Sequence, residues 1–201
     1  YEGIDFLIGG SPCTYWSIAQ TKNRETVASG MGWELFSQYV RALHEAKPKY
    51  FIYENNKSMS KDIRASIDDA FGFEAVLINS ALVSAQNRQR LYWVGKRNAD
   101  GTYSRVNVEQ PADRGILLKD VLDGAVARDM AAELVCVAER GRTYRGQPQH
   151  YEARTDGKTN TLTSVEKDNR VAELVNDICQ VGAMPRPDGE ISTSAGFRIY
   201  S

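Results

Sequence analysis

An apolar run that stops dead constrains this chain more than any other feature. Ile4-Asp5-Phe6-Leu7-Ile8 reads as a strand, and it ends at Gly9-Gly10-Ser11-Pro12-Cys13. The two glycines allow close approaches that a side chain would forbid. Pro12 fixes its own φ and holds Ser11 in extended backbone. The order describes a buried strand feeding a tight, rigid loop that presents a thiol. A reactive thiol needs such a setting, partly exposed and held by backbone. A buried apolar cysteine at a strand end is the alternative that the rest of the sequence has to displace.

Two later segments carry groups that suit the same chemistry. Lys47-Pro48-Lys49-Tyr50-Phe51-Ile52-Tyr53-Glu54-Asn55-Asn56 reads as a helix stop and then a strand that ends in a carboxylate. Open α/β sheets place ligand sites at that end of their strands. In Ala85-Gln86-Asn87-Arg88-Gln89-Arg90-Leu91-Tyr92-Trp93-Val94-Gly95, alternation on an extended strand puts Gln86, Arg88 and Arg90 on one face.

The other elements follow from periodicity. A strand is expected over residues 3–8 and a polar loop over 14–31. A helix is expected from Trp33 to Ala46, with Leu35, Phe36, Tyr39, Val40 and Leu43 as its apolar stripe. A strand follows at 50–54. Ser60 then caps a helix that buries Ile63, Ile67 and Phe71 and closes at Gly72. Strands are expected from Ala75 to Leu82 and from Leu91 to Lys96. Asn98-Ala99-Asp100-Gly101 is a turn, and Gly115 to Leu122 reads as a short helix. This alternation predicts an α/β fold with parallel strands and a final antiparallel hairpin. Beyond residue 98 the chain is richer in Gly, Asp, Arg and Thr. Two domains are expected, 1–97 and 98–201. From Arg140 to Lys158, five basic residues are interleaved with Tyr144, His150 and Tyr151, a composition suited to phosphate contacts.

Composition narrows the classes. The 201 residues are 42% hydrophobic and carry a net charge of −1, so any nucleic-acid surface has to come from local clustering. Cys13, Cys136 and Cys179 are odd in number and far apart, which speaks against a disulfide framework and for a reducing compartment. No metal-ligand spacing joins them to His44 or His150, so no metal is expected. No run is long and apolar enough to span a membrane. Gly157-Lys158-Thr159 is no phosphate loop, because Glu152 stands where that motif needs glycine.

Gly-Gly-Ser-Pro-Cys-x-x-x-Ser, Glu54-Asn55-Asn56 and Gln86-x-Arg88-x-Arg90, in that order, resemble the catalytic segments of the C5-cytosine-specific DNA methyltransferases of bacterial and phage type. The resemblance covers residues 1–96 well and the remainder loosely, with Asn56 departing from the family's third position. It implies the second half of a Rossmann-like sheet that binds S-adenosylmethionine, followed by part of a less regular target-recognition region. It implies Cys13 as nucleophile, Glu54 at N3 and the exocyclic amine of the base, and Arg90 at O2. Arg88 would orient Glu54 or bind phosphate. Thr14, Ser17, Asn55 and Gln86 would support the base or contact phosphate, and Pro12 and Leu35 would touch the cofactor. The partner implied is double-stranded DNA, in the cytoplasm of a bacterium or a phage-infected cell, within a restriction-modification system.

The family's upstream glycine-rich cofactor segment and its closing segments are not found in the sequence. The chain is therefore expected to be a fragment or a split-enzyme half that needs a complementary segment. An RNA cytosine methyltransferase of the same family and a non-catalytic DNA-binding paralogue are the alternatives. Asp156-Gly157-Lys158-Thr159-Asn160-Thr161-Leu162-Thr163 also resembles a segment of some of these enzymes.

Overall fold

The opening run becomes β1 (Phe6–Gly9) in the computed structural model, which describes residues 3–18, 22–122, 133–140, 150–162, 169–174 and 197–200. Only the backbone is described at 133, 140, 150, 173, 174 and 197–200. The chain forms two units, Tyr1–Asn79 with Gln89–Gln110, and Ser80–Arg88 with Pro111–Ser201.

The first unit is a five-stranded sheet. β1 runs parallel to β2 (Tyr50–Asn56). β4 (Gln89–Arg97) lies antiparallel between β2 and β3 (Val76–Asn79). β5 (Tyr103–Arg105) pairs with β4 at Gly95–Arg97. β2 occupies one edge of β4, so β3 and β5 share the other. The antiparallel strand of the expected hairpin thus sits inside the sheet. The boundary expected at residues 97 and 98 falls between β4 and β5, inside this unit.

Helices α1 (Gly30–Ala46) and α2 (Lys61–Phe71) cover one face of the sheet. Phe51 and Tyr53 of β2 and Leu91 and Trp93 of β4 meet Phe36, Leu43, Ile63, Ile67 and Phe71 there. Alternation decides this, since 51, 53, 91 and 93 share a face under the observed register. Gly95 is required on that face: a Cβ there would lie 2.2 Å from the Phe51 ring. Trp33, outside the expected apolar stripe, also packs on this core, whereas Leu35 does not.

Caps end the helices where the sequence places them. The Ser60 hydroxyl accepts from the Ile63 N–H at 3.2 Å, and Gly72 closes α2 at φ +78°. α1 stops at Lys47, before Pro48. β3 is shorter than expected: Ser80–Leu82 is a 3-10 turn, and the Ser80 hydroxyl donates to the Gln86 carbonyl at 2.8 Å.

β1 is not the buried strand that its apolar run suggested. Phe6 is 58% and Ile8 69% exposed. The physical reason is topological: β1 is an edge strand, and α1 and α2 cover only the face that takes Leu7.

The second unit is more regular than its composition suggested. β6 (Glu133–Arg140) pairs antiparallel with β7 (His150–Arg154) and β8 (Arg170–Leu174), and β9 (Phe197–Tyr200) pairs with β8. Val135, Val137 and Ala172 form its small core. The expected helix near residue 118 is one turn, α3 (Leu118–Val121).

Candidate active site

The thiol loop and the carboxylate meet because Gly10 has no side chain. A Cβ at Gly10 would lie 2.4 Å from the Glu54 carbonyl oxygen and 3.5 Å from Glu54 Oε2. The loop leaving β1 therefore rides directly over the end of β2. Cys13 begins a 3-10 turn (Cys13–Tyr15), and its carbonyl accepts from the N–H groups of Trp16 (3.1 Å) and Ser17 (2.9 Å). The Cys13 side chain is exposed, as are Pro12 and Thr14.

Below the loop lies a buried polar cluster. Ser11 Oγ and the Tyr53 hydroxyl are 2.6 Å apart. The Asn55 amide nitrogen donates to the Ser11 carbonyl (3.2 Å), to Ser11 Oγ (3.3 Å) and to the Tyr53 hydroxyl (3.2 Å). Asn55 is 1% exposed, and its own Oδ1 accepts from the Asn56 N–H. Asn55 thus lies inside as a brace. Burial raises the Tyr53 phenol above its ordinary pKa, with its bonds to Ser11 and Asn55 opposing. The phenol therefore stays protonated and able to donate.

Beyond Cys13 the chain is anchored more firmly than a polar loop over 14–31 implied. Trp16 is fully buried, and its indole N–H donates to Glu25 Oε2 at 3.0 Å. The Glu25 N–H returns to the Tyr15 carbonyl, and its carboxylate accepts from the Gly32 N–H. Arg24 donates to the Trp16 and Ser58 carbonyls.

Glu54 is gripped from the other side. Arg90 Nε lies 2.9 Å from Glu54 Oε1, and Arg90 Nη1 donates to the Gln89 carbonyl. Register explains the pair: Glu54 is opposite Tyr92 and Arg90 opposite Asn56, so the two are diagonal neighbours on one face. Arg90 is thus placed to orient Glu54, a task that the resemblance had offered to Arg88. The pair is partly exposed, with side chains 16% and 39% accessible, so it orients more than it stabilises.

Gln86 and Arg88 precede the strand that carries Arg90. β4 begins at Gln89, and both residues belong to the second unit. Gln86 forms an isolated bridge with Thr159, and the Arg88 carbonyl accepts from the Ser80 N–H. Backbone at residue 159 brackets this stretch: the Thr159 N–H donates to the Ala85 carbonyl, and the Thr159 carbonyl accepts from the Asn87 N–H.

The basic-aromatic stretch is only partly described, since residues 141–149 lie outside the described residues. Two of its cations have internal partners: Arg154 pairs with Asp156, and Lys158 donates to three carbonyls. Leu35 is half-buried on α1. Among the described residues no cluster of His, Cys, Asp and Glu is placed to hold a metal, and no helix is long and apolar enough to cross a membrane.

Ser11, Tyr53, Trp16 and Lys158 escaped the sequence reading. For Tyr53 a signal existed, because it sits two residues before Asn55 on one strand and so shares its face. For Lys158 none did.

The model of the C-5 cytosine-specific DNA methylases matches residues 1–172. The chain is 35% identical over 104 residues to the orphan methyltransferase M.SPRI of Bacillus phage SPR, covering 47% of this chain and 23% of that protein. It is 30% identical over 123 residues to the type II methyltransferase M.Sau3AI of Staphylococcus aureus, covering 55% and 30%. With the type II methyltransferase M.NgoPII of Neisseria gonorrhoeae it shares 29% over 134 residues, covering 60% and 38%. The chain therefore spans well under half the length of these relatives.

Proposed function

This chain belongs to the C-5 cytosine-specific DNA methylase family, and from that premise we propose that its Cys13, Glu54 and Arg90 form the base-activating part of a DNA cytosine-5 methyltransferase. The observation that carries the reading is the Gly10 contact, which sets Glu54, held by Arg90 at 2.9 Å, against the loop that presents an exposed Cys13.

Cytosine C5 is a weak nucleophile. The Cys13 thiolate adds to C6, forming a C–S bond and moving the ring's electron pair toward C5. Glu54 hydrogen-bonds N3 and the exocyclic amine, supplying the proton that N3 gains as that pair shifts. Arg90 holds Glu54 in place and offers positive charge to the developing negative charge at O2. C5 is then nucleophilic. After alkylation, water takes the C5 proton, the freed electron pair re-forms the C5–C6 double bond as the Cys13 thiolate leaves, and N3 returns its proton to Glu54. A base stacked in a duplex cannot reach Cys13, so the target is flipped out. Thr14 and Ser17, beside the nucleophile, suit contacts to the flipped nucleotide's phosphates. Residues 98–201 are assigned to target recognition.

The methyl donor implied is S-adenosylmethionine, which supplies an electrophilic methyl group. The donor contacts assigned here, Pro12 and Leu35, are apolar and provide no hydrogen-bonding or charged group. These two side chains alone do not fit a cradle for a sulfonium nucleoside, so the assignment to this chain stops at the base.

Duplex DNA containing 5-fluorocytosine tests the reading. With the donor present, the whole protein should form a denaturation-resistant adduct that Cys13→Ser reduces at least about a thousandfold. An adduct that survives C13S, or none from wild-type protein that binds donor and DNA, defeats it. A matched RNA serves as the substrate control.

A further inference from the structure

Gly157-Lys158-Thr159-Asn160-Thr161 has no part in the chemistry above, yet its polar atoms converge on one stretch of backbone. Lys158 Nζ donates to the carbonyls of Ala81 (2.9 Å), Ser84 (3.3 Å) and Ile116 (2.5 Å). An ammonium has three protons and no acceptor, so these carbonyls fill its capacity. The Thr159 N–H donates to the Ala85 carbonyl (2.7 Å), and its own carbonyl accepts from the Asn87 N–H (3.0 Å). Thr161 Oγ1 donates to the Asn87 carbonyl at 2.8 Å. The Arg114 N–H takes the Leu82 carbonyl, and the Ser80 N–H takes that of Arg88.

Most of the carbonyls from residue 81 to 88 thus have a donor fixed elsewhere in the same unit. After the short 3-10 turn this stretch has no helix or ladder of its own, so its path is set from outside. Gly157, at φ +69°, makes the turn that delivers Lys158, and its carbonyl is tied to the Leu118 N–H at 2.7 Å. An apolar residue at 158 would leave three carbonyls without this donor.

We propose that Lys158 is a positioning residue of the methyltransferase, fixing the backbone that carries Gln86 and Arg88. The assignment rests on the function proposed above. It means that a residue in the recognition region, some seventy positions downstream, sets one of the arginine-bearing segments of the catalytic motif.

Lys158→Met, Lys158→Arg and Thr161→Val in the whole protein test this, with two readouts. Backbone hydrogen exchange over residues 81–88 should quicken at least about tenfold in K158M, and less in T161V, which removes one bond. In K158M kcat should fall at least about tenfold with the donor KM unchanged, and K158R should recover part of both effects. Faster exchange with unchanged kcat reduces Lys158 to a fold staple and overturns the positioning role. Unchanged exchange in both K158M and T161V overturns the clamp itself. If K158M does not fold, T161V decides on the same two readouts at smaller amplitude. If the wild-type protein transfers no methyl group, the methyltransferase reading falls and the positioning role with it, whereas exchange still decides the clamp.

Discussion

Two stretches of this chain carry site residues outside regular structure, and they are held in opposite ways. The loop after β1 is held by side chains: Ser11, Tyr53 and Asn55 bond to one another beneath it, and Trp16 plugs the core beyond it. The stretch from residue 81 to 88 is held by its backbone, through donors from Lys158, Thr159 and Thr161. A buried side-chain network lets every member be tuned, and each loss strands a partner. A backbone clamp is indifferent to the side chains it holds, so it constrains the path of the stretch and not the identity of residues 86 and 88. The thiol loop needs one rigid position. The arginine stretch needs a fixed path.

Substitutions can break the first arrangement in graded steps. Gly10→Ala should cost most, about 3 kcal/mol, because its methyl would sit 2.4 Å from the Glu54 carbonyl and either β2 or the loop has to move. Chemical denaturation reads the loss. Adduct formation should fall with it, since the same movement separates Cys13 from Glu54. Asn55→Ala should cost about 2 kcal/mol, for it removes one amide but leaves the Ser11 carbonyl and two hydroxyls short of a donor in a buried site. Tyr53→Phe should cost about 1 kcal/mol, the net loss of one hydroxyl's bonds with the ring's packing intact. If N55A proves no worse than Y53F, the network is not cooperative, and the contrast between the two stretches loses its basis.

The same difference explains what could be read in advance. Cys13, Glu54 and Arg90 could be named as candidates because each belongs to a short local pattern. The caps at Ser60 and Gly72 and the burial of Ile63, Ile67 and Phe71 were legible for the same reason. What failed was non-local. The apolar run of β1 looks buried in sequence, yet burial depends on which faces the helices cover, and Phe6 and Ile8 lie on the other one. Alternation carries one strand from Gln86 through Arg90, whereas β4 begins at Gln89 and Gln86 forms a separate bridge with Thr159. No window around residue 86 contains Lys158. Trp33 was misjudged for a smaller reason: an aromatic ring packs according to neighbours that only the strand order supplies.

A last effect, no larger than that of Tyr53→Phe, lies next to the thiol loop, and its pH dependence shows in alkali. The Tyr39 hydroxyl donates to the Ile52 carbonyl at 3.0 Å and, more weakly, to the Leu7 carbonyl at 3.4 Å, tying α1 to both β2 and β1. Burial, with the nearby Tyr53 and Tyr103 phenols adding to it, pushes its pKa far above the ordinary value of about 10. A raised folded-state pKa means that the folded form keeps a proton which the unfolded chain gives up. The contribution of Tyr39 is therefore whole below about pH 10 and shrinks as pH rises toward its folded-state pKa. Tyr53, raised in the same direction, adds to the slope. Tyr39→Phe should lower stability by about 1 kcal/mol near neutrality and flatten its decline above about pH 10. Urea midpoints from pH 7 to pH 11 read both. An unchanged slope in Y39F would mean that this phenol does not stay protonated in the folded unit, and that the tie from α1 to β1 and β2 is looser than its hydrogen bonds indicate.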